Sequence, residues 1–153
     1  MITTKILGNL RDYPCSKEIV AIPFEWFELD KRRLLKTADD GNEIGIQVDT
    51  ALSNGDVLFD GEKIYAVQLK FTKLICISVT SMQEMGRVCF ELGNRHLSLQ
   101  IKENSVHVPY DEPTYTYLQH LEFHVEIVKD LFSDYIVCKA HGASSSHEHS
   151  HSH

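Results

Sequence analysis

The chain has 153 residues, 42% of them hydrophobic and 24% charged, which is enough for one ordinary domain or two small ones. Its formal net charge of −7 argues against nucleic acid as a partner, and the one dense basic run, Lys31-Arg32-Arg33, reads as a solvated strand or turn. No apolar run approaches the roughly 20 residues that span a bilayer, and residues 1–10 lack the apolar core of a signal peptide, so a cytoplasmic protein without a membrane partner is expected.

The first half predicts strands and turns. Ile19-Val20-Ala21-Ile22-Pro23 is a short apolar run, followed by Phe24, Trp26, Phe27 and Leu29 with acidic residues between them. Arg33–Thr37 leads into Asp39-Asp40-Gly41-Asn42, a hairpin-turn signal because Asp, Asn and Gly tolerate positive φ. Glu43–Asp49 alternates apolar and polar residues with the period of a half-buried strand. Asn54-Gly55-Asp56 and Asp60-Gly61 bracket Val57-Leu58-Phe59, and Ile64–Leu69 is a further strand. Short strands at this turn spacing predict a small all-β domain over 1–72.

After Thr72 the pattern changes. Lys73–Val79 is nearly continuously apolar, as in a strand covered on both faces. Ser81-Met82-Gln83-Glu84 fits a capping box, and Met82, Met85, Cys89 and Leu92 form an amphipathic stripe that Gly93-Asn94 should stop. Leu97, Leu99 and Ile101 alternate as a strand; Glu103-Asn104-Ser105 turns it back into Val106-His107-Val108. Pro113 opens a helix from Thr114 to about Phe123, and Val125–Val128 closes with a strand. The order β-α-β-β-α-β predicts a ferredoxin-like domain over 73–140. The fold class is therefore α+β, with a His-rich tail over 141–153 whose composition predicts disorder.

Cys15, Cys76, Cys89 and Cys138 are too scattered for a Cys-x-x-Cys pair, so reduced thiols are expected. The histidines are more informative. His141, His147, His149, His151 and His153 fall in the tail, the last four at every second position, where one face of an extended segment can present them to a metal. The interspersed Ser and Glu distinguish this tract from an uninterrupted purification tag. His96 follows Gly93-Asn94-Arg95. A helix running through it would make it a core residue; a cap at Gly93 would place it on the polar side of the next strand, and the Gly-Asn pair favours the cap. One imidazole cannot hold a divalent ion tightly, but a twofold axis would supply a second. His107 reads as a polar strand position on the same sheet. His120 and His124 stand four apart without the Glu placement of a zinc-protease motif, and read as surface or boundary residues. No Gly-x-Ser-x-Gly, phosphate loop or dinucleotide fingerprint is present, and no set of three ligands with a general base, so an enzyme is not expected.

Gly93-Asn94-Arg95-His96, the following Leu99-Gln100-Ile101, the stretches Asp40-Gly41-Asn42-Glu43-Ile44-Gly45 and Asn54-Gly55-Asp56-Val57-Leu58, and the His-rich end together resemble the urease accessory nickel metallochaperone family, UreE. The resemblance spans nearly the whole chain. It implies a chaperone-like N-terminal domain for partners or peptides and a C-terminal domain that dimerises and binds Ni(II), with Zn(II) or Cu(II) able to substitute in vitro. It implies that His96 of each protomer meets at the dimer axis, that the tail histidines add ligands, and that the partners are the urease accessory GTPase and the apo-urease assembly complex. Of the His-x-His pair that some members carry on the next strand, only His107 is present. Imidazole must be deprotonated to bind, so loading should weaken as pH falls through the histidine range. The competing reading is a peptide-binding scaffold with an incidental metal-storage tail.

Overall fold

The computed structural model describes residues 1–14 and 16–137. It divides into two units, Met1–Lys73 with Lys129–Ser133, and Leu74–Val128 with the chain from Asp134 onward. The tail histidines from His141 to His153 lie outside the described residues.

The first unit holds two sheets. The three-stranded sheet has the order β1 (Ile2–Thr3), β5 (Glu43–Gln47), β4 (Arg33–Thr37), with β1 parallel and β4 antiparallel to β5. The four-stranded sheet has the order β2 (Gly8–Asn9), β6 (Asp56–Asp60), β7 (Ile64–Leu69), β3 (Ile19–Phe24). Ile22 and Phe24 from β3, Ile44 and Ile46 from β5, and Val67 and Leu69 from β7 share one core. Leu131 and Trp26 pack against it, and Phe132 meets the Trp26 ring edge-on at 5.0 Å. Val57, Ile64 and Ala66 form a second small core with Leu10 and Tyr13, so β6 and β7 bury side chains on both faces.

The Asp40-Gly41 signal is realised as the β4–β5 hairpin, with Gly41 at φ 88°. Tyr65 Oη donates to Asp40 Oδ2 at 2.6 Å, which ties the turn to β7 and, with the Asn42 N–H groups, holds the carboxyl below its usual range. The short β1 and β2, and the parallel pairing of β3 with β7, have no counterpart among the sequence expectations. Two-residue strands carry no readable alternation, and strand direction is a property of the pair rather than of either segment.

The second unit runs β8 (Thr72–Ser78), α1 (Met82–Asn94), β9 (Gln100–Ile101), β10 (Ser105–Pro109), α2 (Glu112–His120), β11 (His124–Asp130). Its sheet has the order β11-β8-β10-β9, with β10 antiparallel to both β8 and β9. Ile75, Ile77, Val106 and Val108 present one face to Val88 and Leu92 of α1 and Leu118 of α2. Leu74 and Ile75 are consecutive and both fully buried, as the continuous apolar run of β8 requires.

Several local expectations are corrected. The α1 core stripe is Met85, Val88, Cys89 and Leu92; Met82 is 90% exposed. α1 ends at Asn94, the second residue of the Gly93-Asn94 stop, with Arg95 as its cap, and α2 ends at His120, three residues short of Phe123. The strand expected over Leu97–Ile101 shrinks to Gln100–Ile101, because Leu97 is used to close α1 and Leu99 pairs with another segment. His107 is buried, 6% exposed, on a strand position expected to be polar. It faces Cys76 on β8 and Gln100 on β9 in register.

Candidate metal centre

Ser81 starts α1: its Oγ accepts from the Glu84 N–H at 3.1 Å, one of the four donors a helix start leaves unpaired. Glu84 does not complete the reciprocal box; its carboxylate accepts from Thr80 Oγ1. At the other end, Leu97 N donates to Leu92 O and His96 N to Gly93 O. This pair of bonds is a Schellman closure, in which the residue after the cap turns left-handed. That residue is His96, at φ 57°. The motif's apolar contact is made by Leu97 and Leu92, both in the core of the second unit.

α2 ends by the same device. Phe123 N donates to Leu118 O, Glu122 N to Gln119 O, and Glu122 stands at φ 65°. Its start is capped by Asp111, whose carboxylate accepts from the Thr114 N–H and hydroxyl. Each helix therefore ends with a non-glycine residue in the left-handed position. The last turn of α1 is further fixed against α2. Tyr117 Oη donates to Glu91 Oε2 at 2.6 Å, which raises the phenol above its usual range, and the Arg95 guanidinium lies 4.7 Å from the Tyr117 ring centre.

His96 thus stands exposed at a fixed exit from α1. Three residues on, Leu99 pairs with Ile136: Leu99 N donates to Ile136 O at 3.1 Å and Ile136 N to Leu99 O at 2.7 Å. The segment that continues into the His-rich tail is thereby anchored close in sequence to His96. His107 is placed elsewhere, buried in the middle of β10. His120 is the last residue of α2 and His124 the first of β11, both exposed; they do not share a helix face. Among the described residues, no three His, Cys, Asp or Glu side chains come together as a metal-binding group. No helix among them is long and apolar enough to cross a membrane. The left-handed position of His96 had no local signal beyond Gly93-Asn94, which pointed three residues too early, and an isolated backbone pair such as Leu99–Ile136 leaves no side-chain pattern to read.

Two family models match the chain: the C-terminal domain of the UreE urease accessory protein over residues 72–153, and its N-terminal domain over residues 3–67. The chain is 43% identical to the urease accessory protein UreE of Bifidobacterium longum subsp. infantis over 147 residues, 94% of this chain and 66% of that protein, so it spans about two thirds of that relative. It is 38% identical to the UreE of Acetivibrio thermocellus over 74% of this chain and 76% of that protein. With the UreE of Flavobacterium johnsoniae the identity is 32% over 95% of this chain and 93% of that protein. With both halves of the chain matched, and the Gly93-Asn94-Arg95-His96 segment ending α1 in a fixed, exposed imidazole, the chain belongs to the UreE family of urease accessory proteins.

Proposed function

We propose that this protein is a nickel metallochaperone that delivers Ni(II) to apo-urease during active-site assembly, and that it is not an enzyme. The metal is held between the protomers of a homodimer by His96 of each copy, with His141, His147, His149, His151 and His153 as exchangeable extra ligands. The observation that carries this reading is the position of His96, exposed and fixed by the Schellman closure of α1, with the segment leading to the tail pinned at Leu99.

The face of α1 supports a second copy as the partner of this site. At about 100° per residue, the apolar and glycine positions of α1 cover an arc of about 200°, from Val88 through Leu92, Met85 and Cys89 to Gly93, Gly86 and Phe90. The core covers only the first part. Phe90 is 65% exposed, and a Cβ at Gly86 or Gly93 would meet nothing within 4 Å. This face, bare but for Phe90 and, in the first turn, Met82, ends at His96, so a twofold axis at the end of α1 covers the face and brings the two imidazoles together.

A site of a few imidazoles shared across an interface is open, and a tail can add or withdraw ligands with little barrier. Both properties suit transfer rather than a fixed structural ion. His107, buried in the strand, is a less accessible second ligand. The strand order of the second unit favours the ferredoxin-like description of the metal-binding and dimerisation domain, 73–140. The domain at 1–72 is assigned to partners such as the urease accessory GTPase and the apo-urease complex. Its outer sheet face supports this: Ile2 and Leu35, 78% and 68% exposed, flank Gly45 in register. A cytoplasmic location fits this role.

The test is a Ni(II) titration by calorimetry with native mass spectrometry on three proteins: intact, truncated after Ala140, and His96→Ala. The truncated protein should retain one tight Ni(II) per dimer, and His96→Ala should lose it. Loss of all binding on truncation, with no effect of His96→Ala, would leave the tail as the metal binder and favour the scaffold reading.

A further inference from the structure

We infer that α1 carries a second metal site, built from the thioethers of Met82 and Met85 and the thiolate of Cys89, for a soft monovalent cation such as Cu(I). The three residues follow at spacings of three and four, so their side chains rise from one helix face. The Cys89 thiol already points at Met85, with Sγ 3.9 Å from Sδ. A metal–sulfur bond of about 2.3 Å puts two sulfurs of a trigonal set about 4.0 Å apart. The pair therefore stands at the spacing of two ligands of one ion.

Met82 supplies the third donor. It lines the same shallow recess as Met85, bordered by Val79, Glu103 and Asn104. At 90% exposure its side chain serves no packing role in the fold, and its three rotatable bonds let it close over the pair.

The chemistry selects the cation. Thioether and thiolate sulfur prefer soft ions, whereas imidazole suits nickel and zinc. One thiolate and two neutral thioethers around Cu(I) make a neutral unit, which half-buried Met85 and Cys89 can accommodate. A divalent ion there would leave a net charge among Val88, Leu92 and their neighbours. Burial pushes the Cys89 thiol up, so without a metal the proton stays on sulfur. On binding, the S–H bond breaks, the sulfur–copper bond forms, the proton passes to water and no electron is transferred. The site is independent of His96, and separates a soft ion from the imidazoles meant for a divalent one.

The test is an anaerobic titration of the full chain with Cu(I) against a competing chelator, with alkylation of each cysteine followed by peptide mass spectrometry. The first equivalent of Cu(I) should slow alkylation of Cys89 about tenfold or more, while Cys89→Ser loses that equivalent. Met82→Leu cannot disturb a core that Met82 does not enter; it should keep the melting temperature and weaken Cu(I) by about tenfold. His96→Ala should leave Cu(I) binding unchanged. Equal Cu(I) affinity in Met82→Leu and the unaltered protein, or unprotected Cys89 after one equivalent, overturns the proposal.

Discussion

A histidine at φ 57° occupies a place that most helices ending in this way give to glycine, because any Cβ crowds the backbone there. A non-glycine residue in the left-handed region costs of order 1 kcal/mol or more, and under the proposed function position 96 bears that cost for the metal. The cost at position 96 is borne by the bonds from Leu97 to Leu92 and from His96 to Gly93, and by the apolar contact beneath them. His96→Gly should therefore raise stability by up to about 1 kcal/mol in denaturant unfolding and, under the proposed function, lose tight Ni(II) binding. A variant that lost stability along with metal would show that His96 is there for packing. Glu122, in the same conformation at the end of α2, is the natural control: Glu122→Gly should be equally stabilising and leave Ni(II) binding alone.

At the scale of elements, Leu99 and Ile136 form a backbone pair three residues after His96. Ile136 is 56% exposed, so its side chain contributes little packing, but its N–H makes the 2.7 Å bond to Leu99 O. Ile136→Pro removes that donor and Ile136→Ala keeps it. Under the proposed function, the proline variant should show Ni(II) affinity close to that of the protein truncated after Ala140, and the alanine variant that of the intact protein. Equal affinities in calorimetry would mean that the tail reaches the site without this anchor. The helices were readable as elements because their caps are local: Ser81 and Asp111 bond within three residues. Their ends were not. A Schellman closure is chosen by which downstream residue finds the core, and Leu97 and Phe123 could be seen to do so only once the sheet was in place.

For the whole molecule, the proposed function turns on the exposed face of α1 that carries Phe90. Phe90→Lys puts a charge on the bare face without touching the core, so helicity should hold. If α1 forms the proposed interface, the variant should sediment as a monomer and its tight Ni(II) site should disappear with the dimer. A dimer that survives this change places the interface elsewhere. A change of pattern near Thr72, from alternating strands to a continuous apolar run, was visible in the sequence. The return of Lys129–Ser133 to the first unit was not, because Phe132 and Trp26 are more than 100 residues apart and neither announces the other.

What the chain determined by itself is what depends on near neighbours: the hairpin at Asp40-Gly41, the cap at Ser81, the alternation of β5, and the Gly-Asn-Arg-His segment that marks the family. These follow from local backbone sterics and from periods of two and 3.6 residues. Burial of His107, the left-handed turn at His96, the Leu99–Ile136 pair and the exposure of Met82 were decided by tertiary structure. Each depends on which surface a residue meets across the fold, and a linear pattern of polar and apolar residues carries that information only after the strands have found their partners.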